Sequence, residues 1–346
     1  MATVLPQRGA VRSPPQARLH FVLRFSVGTT AAFVLCEWMG WQPAALAPVL
    51  TAVLLTNLPT APPLKVGIGL ILIMAVWAWL AFFMTIFLAH APQVLFGLVA
   101  LIVFLAFAGL ANAKGQLPLT ILLVCFAIIP VVTPALPTQH ADIFAKAFVR
   151  AMLLAVIFTW MTFAIWPLPS PKPRDPPAPA LGSPIAAAIC GSVIVLPVML
   201  VYMLYSITNA IPVLLTTVLL VAQMAVERGA ASARAKMLGN FLGGIIAVVA
   251  FYLLNIAPSL ATLALILFVI AVGFSNLIVD GGIRGGNALL SYNMAVVIFG
   301  LALLKGADNA GVWITRLLQF GIACAFAVGM MQVLWPRMLA RSRGRA

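Results

Sequence analysis

Few side chains in this sequence can exchange a proton or hold an ion. Its acidic residues are Glu37, Asp142, Asp175, Glu227, Asp280 and Asp308, and its histidines are His20, His90 and His140. Two arginines, Arg150 and Arg316, interrupt long apolar stretches, and each follows an aspartate by eight residues, Asp142 and Asp308 respectively. Arginine offers a planar fork that fits a carboxylate, and charge within an apolar stretch is costly enough to suggest a purpose. Arg150 and Arg316 are therefore the candidate anion-binding residues. The competing reading is snorkelling. Arg150 precedes Trp166 by 16 residues, roughly 24 Å of helix, which leaves it a few ångströms inside the edge of a ~30 Å hydrocarbon layer. Arg316 is shallower. Proton coupling would fall to Glu37, Asp142 or Asp308. Glu37 lies deep in the first apolar stretch but is followed by Trp38 and Trp41, which also read as an interfacial belt. The two aspartates could instead pair with Lys146, Arg150 or Arg316. The histidines lie in loops and at helix ends, where an ordinary solvated role suits them.

A second group of candidates is polar but uncharged. Two short apolar stretches, near 44–58 and 211–226, each carry a proline close to the start, Pro48 and Pro212. Short proline-interrupted segments at corresponding places in two halves suggest discontinuous helices around a binding site. Thr51, Thr56, Asn57, Thr216, Thr217 and Gln223 would line it. A short tilted helix with a first-turn proline fits as well. Asn287 and Ser291, spaced i,i+4 beside Tyr292 and Asn293, could line a pore or bond a neighbouring helix. The basic, glycine-rich segments Glu227–Lys236 and Asp280–Asn287 could recruit an anionic substrate, contact anionic lipid, or only fix orientation.

Other chemistries find no support. Cys36, Cys125, Cys190 and Cys324 stand singly in apolar stretches, so neither a disulfide framework nor a metal site is expected. No phosphate-binding, nucleophile-elbow or metalloprotease motif occurs in a usable context. No cofactor is expected, and a lipid-modifying enzyme would need a base and a nucleophile brought together.

The elements that must position these residues follow from composition. The chain has 346 residues, 64% hydrophobic and 8% charged, with mean hydropathy +1.15, against roughly 45–50% and 25% for soluble domains. Soluble, coiled-coil, disulfide-scaffold and disordered classes are excluded. The expected fold is an all-α polytopic membrane protein with about 12 transmembrane helices. Apolar stretches run near 22–40, 44–58, 66–89, 94–112, 117–136, 144–166, 185–207, 211–226, 237–256, 260–278, 287–304 and 311–336. A proline-rich linker, 167–184, divides two six-helix repeats, 22–166 and 185–336, with basic tails at 1–21 and 337–346. The net charge of +14 reads as a positive-inside bias, not as nucleic-acid binding. With the N-terminus inside, every Lys and Arg except Lys146, Arg150, Lys305 and Arg316 falls on the inner side. The first segment then reads as a cytoplasmic tail and first span, not as a removed signal peptide.

Matches at an offset near 170 support a duplication. Ala47–Leu50 corresponds to Ile211–Leu214, Lys65–Gly67 to Lys236–Gly239, Lys114–Gly115 to Arg284–Gly285, and Ile165–Pro167 to Leu334–Pro336. Six spans per half would relate the repeats by an axis along the membrane normal. Glycines such as Gly28, Gly239 and Gly243 permit close helix packing within the chain or in a homo-oligomer.

Pro43–Thr51, Leu58–Pro59, Lys65–Gly69 and the second-half segment Arg234–Gly244 together resemble the fusaric acid resistance/aromatic acid exporter superfamily. The resemblance implies a bacterial inner-membrane exporter of small aromatic or hydroxylated carboxylic acids. It further implies proton drive and a periplasmic membrane-fusion adaptor as partner. Larger relatives carry a sizeable cytosolic domain between the halves, where this sequence has only the proline-rich linker. A scaffold subunit without a pathway of its own is the alternative from a different class.

Overall fold

A computed structural model describes residues 15–111, 116–170, 184–205 and 230–305, together with Leu214, Thr217, Val218, Val221 and Gly329. The described residues form ten α-helices: α1 (Pro15–Trp38), α2 (Leu46–Asn57), α3 (Leu64–Phe87), α4 (Pro92–Ala111), α5 (Gln116–Val132), α6 (Ile143–Ile165), α7 (Pro184–Tyr205), α8 (Ala230–Ile256), α9 (Leu260–Ile278) and α10 (Gly282–Lys305). Eight contain stretches long and apolar enough to cross a membrane. The chain is an all-helical, multi-pass membrane protein. Within hydrocarbon only a helix bonds all its own amides and carbonyls, and these apolar stretches have that solution alone.

The helix ends follow local chemistry. Pro92 and Pro184 open α4 and α7, where a missing amide costs nothing. Ser259 caps α9, its side chain accepting from the Thr262 amide at 3.1 Å. Leu58 leaves α2 in an extended conformation because Pro59 follows. Pro48 falls in the first turn of α2, where its lack of an amide frees no carbonyl upstream. Among the described residues, the prolines that do interrupt helices are Pro130 in α5 and Pro197 in α7. α5 then continues as a 3-10 turn, Thr133–Ala135.

The core is a single apolar cluster shared by nearly all the helices. α1 packs on α2, α6 and α9; α2 also packs on α6 and α10; α3 lies between α5 and α6. A pattern of pairings recurs. The third and fourth apolar stretches (α3, α4) each pack on the fifth (α5), as α8 and α9 each pack on α10. Across the chain, α1 packs on α9 while α7 packs on α4. The outward faces of α3, α4, α8 and α9 expose large apolar side chains such as Leu72, Val76, Leu101, Val249 and Val269, as a lipid-facing surface should.

Close contacts depend on glycine. A Cβ at Gly243 of α8 would stand 2.2 Å from the Ser291 carbonyl oxygen of α10, and one at Gly239 would stand 2.7 Å from Ser291 Oγ. A Cβ at Gly67 would strike the Trp160 ring at 2.3 Å. Small residues let backbones approach where lipid supplies no hydrophobic drive between helices. Gly273 of α9, by contrast, has nothing within 4 Å of its would-be Cβ. Gly273→Ala should therefore stabilise the protein by up to about 1 kcal/mol through helix propensity. Gly243→Ala should lower the thermal midpoint in detergent, because backbone blocks the added methyl. Equal midpoints for the two variants would contradict this packing.

Candidate functional site

Two faces of the bundle are distinguished by the ends of α1. The near face holds its start and the far face its end. On the far face, the turn after α1 brings Glu37, Trp41 and Gln42 against α6, where Arg150 occupies the eighth helical position. Arg150 Nη2 donates to the Gln42 carbonyl at 3.1 Å. Its guanidinium carbon stands 4.8 Å from the centre of the Trp41 ring, a cation–π distance. The Gln42 side chain lies within hydrogen-bonding reach of the Glu37 carboxylate and its Oε1 accepts the Ala44 amide at 3.1 Å. Glu37 Oε1 is buried without a hydrogen-bond partner among the described residues. One residue, Gln42, thus links the proposed proton group to the proposed anion group through its two ends.

Among the described residues the ion pairs are Arg18–Asp280 at 2.9 Å and Lys146–Asp142 at 2.5 Å. Asp142 is therefore engaged by Lys146, one turn along the helix, and among the described residues no carboxylate lies within salt-bridge distance of Arg150. A half-buried guanidinium stacked on an indole, with only a neutral carbonyl partner, retains capacity for an anion. Arg316, Asp308, Thr216 and Gln223 lie outside the described residues.

The uncharged candidates are placed differently from one another. Thr51 is fully buried in α2. Its hydroxyl donates to Ala47 O at 2.8 Å, and its methyl faces the Gly28 position of α1. Asn57 is exposed at the end of α2 and donates to Val53 O at 2.8 Å. Ser291 donates to Asn287 O at 2.9 Å, and both line the tight contact with Gly239 of α8. Their placement is that of a helix–helix interface.

The near face holds a residue that counting loop charges treats as an orientation signal. Arg24 is 1% exposed. Its Nη1 donates to Trp166 O at 2.8 Å and also to Leu168 O, and its Nη2 donates to Ser170 Oγ at 2.9 Å. Phe163 stacks beneath it, 4.1 Å from the guanidinium carbon. Trp166 is the C-cap of α6, so the cation meets the negative end of that helix and its unbonded carbonyls. The Ser170 amide in turn donates to Pro59 O at 2.7 Å. Arg24 therefore binds α1, the end of α6 and the α2–α3 loop into one unit. The signal in the sequence was its position: Arg24 is the third residue of an apolar stretch, not a loop residue.

The family model described as "Protein of unknown function (DUF2955)" matches residues 22–162, which run from α1 to near the end of α6. No curated protein and no solved structure matches the chain.

Removing the Arg24 guanidinium leaves one buried and two part-buried acceptors without their charged donor. Arg24→Ala should cost about 3 kcal/mol, from charged hydrogen bonds near 1.5–3 kcal/mol each offset by relaxation. It should appear as reduced membrane abundance and a lower melting temperature of the purified protein. Arg24→Lys should recover only part, since one ammonium nitrogen cannot span acceptors that two guanidinium nitrogens reach. Wild-type melting of Arg24→Ala would show that the clamp is not structural.

Proposed function

We propose that this chain is a secondary exporter of small organic acids, aryl carboxylates foremost, in a bacterial inner membrane. The near face would be cytoplasmic and the far face periplasmic. The observation that carries this reading is the far-face cluster. Arg150 offers a cation without a carboxylate partner among the described residues, Trp41 supplies an aromatic surface beside it, and Glu37 places a protonatable group one residue away through Gln42. A carboxylate could pair with the guanidinium fork, and its ring could lie against the indole.

A proton taken up at Glu37 from the far side would be exchanged for an acid released from Arg150. The membrane potential would help, since an anion leaving a negative interior gains roughly 2.3 kcal/mol per charge per 100 mV. The architecture proposed is twelve spans as two parallel six-helix repeats. The recurring pairings of α3, α4 and α5 with those of α8, α9 and α10, and the reciprocal α1–α9 and α4–α7 contacts, support it. So does a family match confined to one repeat's length. Resemblance to the aromatic acid exporters also suggests a periplasmic membrane-fusion adaptor as partner and leaves a homo-oligomer open.

Efflux of benzoate from loaded cells expressing the chain tests this reading. Arg150→Ala should reduce the rate by about tenfold, the kinetic value of ~1.4 kcal/mol of lost substrate stabilisation, at unchanged membrane abundance. Arg150→Lys should fall between the two. Glu37→Gln should leave efflux that no longer responds to external acidification. Full efflux in Arg150→Ala, or an intact pH response in Glu37→Gln, would remove the residue concerned from the site.

A further inference from the structure

We propose that the near face opens between α1 and α9, and that the Arg18–Asp280 ion pair is the latch that holds it closed in this conformation. The inference rests on the transport reading and adds to it the place where the near face parts, at residues distinct from the far-face cluster.

The first turns of α1 carry two arginines, Arg18 and Arg24. Their spacing of six sets them about 120° apart around the helix axis, so they turn to different neighbours. Each bonds a carbonyl at the C-terminal end of another helix, where a cation meets the negative pole. Arg24 reaches Trp166 O at the end of α6, in the first half of the chain. Arg18 reaches the second half. Its Nη2 donates to Asn276 O in the last turn of α9 at 2.9 Å, and its Nη1 donates to Asp280 Oδ1 just beyond that helix, also at 2.9 Å. The two ties differ in permanence. Arg24 is 1% exposed, and charged hydrogen bonds made away from water are strong. The Arg18 and Asp280 side chains are 42% and 54% exposed, and an ion pair so placed is weak because water can take over from either partner. If α1 leaves one neighbour at the near face, it keeps α6 and releases α9.

Both sides of the latch are stiff. On one side the Arg24 clamp joins α1 to the end of α6 and, through Ser170, to the α2–α3 loop. On the other side α9 and α10 form a tight hairpin with Asp280 at its tip. Gly281 and Gly282 turn the chain there with φ of 66° and 63°, values that suit glycine. A Cβ at Gly285 would stand 2.7 Å from Ile278 O, so the two helices meet backbone to backbone as they leave the turn. The other contacts between the two halves are of a different kind. α4 packs on α7 and α2 on α10, and α2, α4 and α7 contain no charged residue. Among the described residues, the ion pair that joins the halves is therefore Arg18–Asp280. Apolar surfaces can part and slide back at several registers. A two-nitrogen grip on one carbonyl and one carboxylate fixes a single closed position, and its exposure lets it be released.

Ser275 of α9, beside the Asn276 acceptor, is 0% exposed and serves as a reporter of opening. Ser275→Cys is placed in a chain whose four native cysteines are alanines, and the purified protein is treated with the anionic sulfonatoethyl methanethiosulfonate. Arg18→Gln should speed its modification about two- to fivefold, the population shift that an exposed pair can hold. Exchanging the charges, Arg18→Asp with Asp280→Arg, should bring the rate most of the way back. Equal rates in Arg18→Gln and its parent would overturn the latch. A second measurement asks whether the parting is needed. Arg18→Cys and Asp280→Cys, in the same cysteine-free chain and bridged by a short bis-methanethiosulfonate, should lose benzoate counterflow in liposomes and regain it on reduction. Undiminished counterflow in the bridged protein would equally overturn the proposal. A faster Ser275→Cys reaction in Arg18→Gln, in a chain that moves no aryl carboxylate bridged or reduced, would uphold the latch and refute the exporter reading.

Discussion

Polar groups inside a hydrocarbon layer must find partners within the protein. Most of the architecture is a set of answers to that constraint. Backbone groups close into helices, and threonine hydroxyls fold back onto carbonyls one turn earlier. The exposed carbonyls at the end of α6 receive the Arg24 guanidinium. Where backbones must cross closely, glycine removes the side chain that would intervene. Groups left without such an answer stand out against this background, the Glu37 carboxylate among them.

The helices were readable because their signal is composition over a long window. α9 coincides with its apolar stretch, and α3, α4, α6 and α7 begin and end within two residues of theirs. α1 and α8 start seven residues before their apolar stretches. Gln16, Arg18 and His20 are good enough helix residues to continue the spiral past the apolar boundary, and hydropathy does not register them. The proline reading was harder. Pro48 and Pro130 look alike in sequence, but one falls in a first turn and the other in a helix interior. That difference rests on where a helix starts, which sequence fixes only to a few residues.

Site residues were less legible because partners, not types, decide their role. Arg150 and Glu37 were both visible as charges in apolar stretches, but their connection through Gln42 depends on a turn that no periodicity encodes. Asn287 and Ser291 have the i,i+4 spacing of a lined pore, and only the glycines of α8 opposite them show that this face is packed on a helix. Arg24 was visible and assigned to sidedness, since a count of positive charges does not ask which carbonyls lie within reach.

The central claim is that this bundle moves small aryl acids across a membrane, and counterflow measures that without cells or adaptor. Purified protein in liposomes preloaded with unlabelled benzoate should take up external labelled benzoate transiently above equilibrium, and Arg150→Ala should abolish the overshoot. Uptake indistinguishable from protein-free liposomes, for benzoate and for its hydroxylated analogues alike, would contradict the account.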